Sequence, residues 1–150
     1  MRNIRINGII TVLILFITVA SFSVNAQCKG FAKKEVLTLL SPYTHDGNYH
    51  AAVLVVGEEA ELYKTFYSDM EYRVVVAGEE KLPTVEFEIL DENKNVLYTN
   101  KDHNYVRFTD LKLENSKQLK LVIKVQSFNK SGEIPATGCV AIMFGFKMKK

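Results

Sequence analysis

Two stretches of this 150-residue chain alternate apolar and polar residues, and that pattern admits one backbone. Val85, Phe87 and Ile89 alternate with Glu86 and Glu88, and Leu119, Leu121, Ile123 and Val125 alternate with Lys120, Lys124 and Gln126. A period of two is that of a β-strand with one face in a core and the other in water. Around them lie further short runs rich in Val, Ile, Tyr, Phe and Thr, the residue types that suit a pleated, half-buried surface. The expected strands are Tyr49–Val56, Ala60–Tyr67, Tyr72–Ala77, Thr84–Leu90, Val96–Thr99, Tyr105–Leu111, Gln118–Phe128 and Cys139–Lys147. Turn-forming residues separate them: Asp46-Gly47, Gly57-Glu58-Glu59, Ser68-Asp69, Gly78-Glu79-Glu80, Asp91 to Asn95, Lys101 to Asn104 and Ser131-Gly132.

Before the strands, Ala32, Val36, Leu39 and Leu40 recur at helical intervals between Lys33, Lys34 and Glu35, so Lys29 to Leu40 reads as a short amphipathic helix. Ser41-Pro42 ends it, because proline pushes the preceding residue out of helical geometry. Tyr49–Val56 and Val140–Phe146 are apolar on both faces, as central strands are when a second sheet, a helix or a partner covers them. The expected fold is therefore mainly β. It is an antiparallel two-sheet β-sandwich, jelly-roll-like, with one N-terminal helix closing an end or edge.

The first 26 residues have the layout of a cleavable signal peptide: a basic start at Arg2 and Arg5, an apolar stretch from Ile9 to Ala20, and a polar end from Ser21 to Ala26. The apolar stretch falls short of the roughly 20 residues that cross a bilayer, so no transmembrane anchor is expected after cleavage. Val24 and Ala26 occupy the small-residue positions of a cleavage site, which makes Gln27 the first mature residue and 27–150 a single domain. The rival processing, acylation of Cys28 as a lipoprotein, wants a small residue before the cysteine, and Gln27 is not small. Arg2 and Arg5 leave with the leader, so the 19 basic residues fall to 17 and equal the 17 acidic ones. A neutral domain lacks the basic surface that nucleic acid demands.

The two cysteines, Cys28 and Cys139, stand near the two ends of the mature chain. An even count in an exported chain suggests a disulfide, and the absence of C-x-x-C argues against a redox pair. Closing nearly the whole mature chain would stabilise it by up to roughly 4–5 kcal/mol in the chain-entropy picture, large beside a total of about 5–15 kcal/mol.

Glu71-Tyr72-Arg73-Val74-Val75-Val76-Ala77-Gly78 and Val85-Glu86-Phe87-Glu88-Ile89-Leu90-Asp91-Glu92-Asn93-Lys94-Asn95-Val96-Leu97 resemble segments of bacterial pre-peptidase C-terminal modules. In those jelly-roll domains an x-Y-x-V-x-V-x-G strand precedes a D-x-x-G-x-x-L hairpin. In this chain the hairpin has no glycine, and Asn95 is expected to supply its left-handed backbone. The layout of leader, helix, sandwich and terminal cysteines is also similar to that of small exported bacterial β-sandwich proteins. The resemblance implies an accessory or binding role outside the cytoplasm and carries over no catalytic residues.

The densest polar and aromatic segment runs from Ser41 to His50 and supplies Tyr43, His45, Asp46, Tyr49 and His50 as ligand-binding candidates. Imidazole and carboxylate suit zinc or copper, but His45 and His50 do not have a recognised ligand spacing; an Asp46-Gly47 turn with exposed histidines is the plainer reading. Asp91, Asn93 and Asn95 place oxygens at alternate positions as a calcium loop does, without its glycine or later glutamate. Asp102-His103 lies in another turn, with no G-x-S-x-G, H-E-x-x-H or Gly-rich phosphate loop in the chain. Tyr63, Phe66, Tyr67 and Tyr72 gather at one hairpin at the spacing of cross-strand packing pairs. These residues imply a noncatalytic exported module without a cofactor, binding a protein, a glycan or a component of the cell envelope. The alternative is a metal-binding or hydrolytic enzyme using His45, Asp46, His50 or His103.

Overall fold

The computed structural model describes residues 23–127 and 134–149. The greater part of the expected leader, Phe128 and the Ser131-Gly132 turn lie outside the described residues.

Nine antiparallel strands are described: β1 (Thr44–His45), β2 (His50–Val55), β3 (Glu59–Phe66), β4 (Met70–Gly78), β5 (Val85–Leu90), β6 (Val96–Thr99), β7 (Phe108–Lys112), β8 (Lys117–Val125) and β9 (Thr137–Met148). One sheet has the order β1–β9–β4–β7, with β2 also paired to β9; the other has the order β3–β8–β5–β6. β1 and β2 lie end to end along one edge of β9, partnering 145–146 and 137–142 respectively, while β4 occupies its other edge. The expected two-sheet sandwich is thus observed.

Alternation decides which residues fill it. Phe87 and Ile89 of β5 and Leu119, Leu121, Ile123 and Val125 of β8 are fully buried, facing Val74 and Val76 of β4 and Val140, Ile142 and Phe144 of β9. The ring of Phe66 lies edge-on to Tyr72 at 4.9 Å and to Phe144 at 5.9 Å, joining the sheets at one end.

The helical segment differs from expectation in place and form. It starts at Ser23, as α1 (Ser23–Phe31), and continues through a π turn (Ala32–Val36) and a 3-10 turn (Leu37–Leu40). Cys28, Ala32, Val36 and Leu40 are its buried stripe. A strict four-residue spacing drifts by about 40° per step on an α-helix, and the wider π turn takes up part of that drift. The stripe packs on Val75, Ala77, Ala141 and Met143, the outward face of β4 and β9. The helix therefore covers a sheet face and does not close an end or edge. The cause is that β4 and β9 are apolar on both faces, and only a third layer removes the outer face from water. β9 is central, as expected; β2 is an edge strand, with Ala51 beside the helix and Leu54 in the core.

Cys28 and Cys139 form the expected disulfide, with Cα atoms 5.2 Å apart, fastening α1 to β9. Where the chain returns from helix to sheet, Gly145 permits a close approach: a Cβ there would stand 2.7 Å from Tyr43 Cβ and 3.2 Å from Leu40 Cδ2. Two turns also differ from expectation. The left-handed residue of the β5–β6 hairpin is Lys94 rather than Asn95. Asn104 and Tyr105 are both left-handed, so β7 begins only at Phe108.

Asn100, 1% exposed, stands in for a strand partner along the start of β5, which β6 does not reach. Its Oδ1 accepts from the Phe87 N–H at 2.9 Å, and its Nδ2 donates to the carbonyls of Val85 and Val106 at 3.1 and 3.2 Å. A buried amide so satisfied avoids the desolvation penalty that an orphaned one carries.

Candidate functional site

The segment from Tyr43 to His50 wraps the end of β9, and the structure divides its candidates between the two sides of the sheet. Tyr43 lies on the helix side, its ring 4.8 Å from the Arg73 guanidinium and 4.7 Å from Lys147 Nζ. Arg73 also stacks on Phe108 at 4.4 Å and binds Asp110 through both carboxylate oxygens, at 2.7 and 2.8 Å. Its third nitrogen donates to the Ser41 carbonyl at 2.6 Å, which ties the helix exit to β4 and β7. The guanidinium beside Asp110 holds that carboxyl below the usual carboxylate range.

Asp46 lies on the sandwich side. Its Oδ2 accepts from Lys64 Nζ at 2.7 Å and its Oδ1 from the Asn48 N–H at 2.9 Å. Burial alone would raise the Asp46 pKa, but the Lys64 ammonium and the Asn48 amide outweigh it and hold the group ionised to lower pH. Lys64 reaches this carboxylate by pointing inward from β3, its ammonium 4.5 Å from the Phe144 ring centre. Asp46–Lys64 is thus a clip between the sheets where β2 and β3 face each other. His45 Nε2 lies 3.0 Å from the Asn48 carbonyl, and its ring meets Tyr49 edge-on at 4.7 Å. His50 packs edge-on against Phe144 at 5.8 Å, and its burial depresses its pKa.

Beyond the clip the seam between the sheets is open. A groove of about 350 Å³ runs between β2 and β3, floored by Leu54, Leu62, Ile123 and Ile142, with Tyr49, His50 and Glu61 as its polar contributors. That volume falls in the range of ligand pockets, which are mainly apolar with a few placed polar groups. Of the five candidates in the loop, Tyr49 and His50 line this groove; Asp46 and His45 hold the loop's shape, and Tyr43 faces away.

The remaining candidates serve turns and packing. Asp91 Oδ1 accepts from the N–H groups of Asn93 and Asn95, both at 2.8 Å, and its Oδ2 from the Asn95 amide at 2.9 Å, so these residues build the hairpin turn. His103 Nδ1 contacts the Thr99 carbonyl at 3.0 Å, and its ring stacks on Tyr98 at 4.9 Å. Phe66 and Tyr72 are buried, whereas Tyr63 and Tyr67 are more than half exposed. Among the described residues, no group of three His, Cys, Asp or Glu side chains has metal-holding geometry.

Lys64 and Arg73, which shape this region, were not candidates on sequence. Their signal was parity: Lys64 occupies an inward position of Ala60, Leu62, Lys64 and Phe66, and Arg73 interrupts an apolar strand. A charge in such a place has a partner waiting.

No family model matches the chain, and no curated protein matches it. Among solved structures, PliG of Aeromonas hydrophila, a periplasmic inhibitor of g-type lysozyme, is similar with a TM-score of 0.49 at 6% sequence identity, over 71% of this chain and 89% of that one. The likeness to pre-peptidase C-terminal modules accordingly stays with the strand and hairpin motifs that suggested it.

Proposed function

We propose that the chain is an exported, noncatalytic binding module and that it receives a protein partner at the open seam between β2 and β3. The observation that carries this reading is the groove itself, because interior side chains, Leu54, Leu62, Ile123 and Ile142, line an opening between the two sheets. An apolar floor favours an apolar side chain over a sugar. Beside it β2 is an edge strand without a charged residue or proline, and its free backbone edge can take an added strand. Tyr49 and His50 supply the polar end, with His50 kept neutral at neutral pH by burial. Residues 1–26 direct export in this reading and are removed, and the disulfide suits an oxidising compartment.

Ala52 lines the groove from an exposed position, so Ala52→Arg obstructs it without entering the core. In a pull-down from the native cell envelope, we expect wild-type protein to retain a specific protein and the variant to lose at least tenfold of it, with an unchanged melting transition. Equal capture by the variant would remove the groove from the function. Stoichiometric zinc or copper in purified protein, lost on His45→Ala and His50→Ala replacement, would establish the metal-dependent alternative instead.

A further inference from the structure

We propose that Gln27, once it becomes the first residue of the mature chain, closes on itself to pyroglutamate; the inference rests on cleavage after Ala26. An N-terminal glutamine carries both reactants, an α-amine and a carboxamide at the spacing of a five-membered ring. The amine nitrogen attacks Cδ, a C–N bond forms, the Cδ–Nε2 bond breaks, and the amide nitrogen leaves as ammonia with the amine's surplus proton. No oxidant, reductant or co-reactant enters.

Three features of the molecule favour this outcome at this position. The Gln27 side chain is exposed, so ring closure displaces no packing. The next residue, Cys28, is 1% exposed and bonded to Cys139, which fixes the chain immediately after Gln27 and keeps the new terminus from being drawn into the core. Finally, helical backbone runs on from Gln27 to Leu40, so cleavage leaves the α-amine at a helix N-terminus. There the unpaired N–H groups and the macrodipole disfavour a cation. Lys29, Lys33 and Lys34 follow within two turns, and the first acid, Glu35, lies 3.5 Å from Lys34. Lactam formation converts that terminal cation into a neutral amide.

Intact-mass measurement and N-terminal peptide sequencing of the exported protein, taken from its producing cells and held overnight at neutral pH, test the proposal. The expected product is residues 27–150 with the disulfide intact, lighter by one ammonia, one positive charge poorer, and restored to a sequenceable Cys28 terminus by pyroglutamyl aminopeptidase. Gln27→Ala, which has no carboxamide, should be cut at the same place and keep its free amine. A wild-type chain beginning with an open Gln27 would overturn the cyclisation while leaving the cleavage reading in place. A chain beginning at any other residue, or an acylated Cys28, would overturn both.

Discussion

At the scale of single residues, two ion pairs, Asp46–Lys64 and Asp110–Arg73, stand where sheets or layers meet, and with His50 they make stability depend on pH in two separate windows. The Asp46 and Asp110 carboxyls are held below their ordinary values, despite burial, by Lys64 and Arg73 respectively. Each therefore releases its proton more readily in the folded state. Their stabilisation is fully present above the unfolded value of about 3.9 and is lost as pH falls through the lower folded value. His50 is shifted the same way for a different reason, since burial disfavours its cation. The unfolded chain binds that proton first, so the His50 contribution is present above about pH 6.5 and begins to be lost as pH falls below it. Urea unfolding measured from pH 8 down to pH 3 should show a first decline below about pH 6.5 that His50→Gln removes, and a steeper one below about pH 4 that Asp110→Asn reduces. A wild-type profile flat down to about pH 4 would contradict the burial of His50.

At the scale of elements, the junction between the helical segment and β9 has little tolerance. Gly145→Ala places a methyl against Tyr43 and Leu40, and overpacking of that kind costs about 1–3 kcal/mol. The loss should appear in urea unfolding, whereas Ala at exposed Gly30, which has nothing within 4 Å, should have no comparable packing cost. Strands were the legible part of this fold. Period-two alternation marks β5 and β8 and assigns their inward residues, because burying one face leaves a record in the sequence. The two-residue β1 leaves no periodic trace, and whether an apolar strand is central, like β9, or an edge, like β2, depends on pairing over long distances. The helix showed its apolar stripe but not its destination, which follows from the outer faces of β4 and β9. In the candidate site, the loop around His50 stood out by composition. The groove did not, because Leu54, Leu62, Ile123 and Ile142 read as ordinary core until two sheet edges fail to close over them.

At the scale of the whole molecule, the disulfide and β9 act together. β9 pairs with three other strands and holds Cys139, so the covalent tie joins the last turn or so of α1 to the middle of the larger sheet. Replacing both cysteines with serine should destabilise the domain by up to roughly 4–5 kcal/mol, since the loop it closes is long. Denaturant unfolding of oxidised and double-serine protein reads the difference, and equal midpoints would show that packing of α1 alone fixes the helix. The position of β9 in the chain has a consequence for export. It is the last described strand in sequence and an inner strand of its sheet, so β1, β2 and β4 have no shared neighbour until residues 137–148 arrive. Under the proposed export, a chain threaded through a membrane from its N-terminus would leave β1 and β2 without a partner strand until its last strand emerges to meet Cys28.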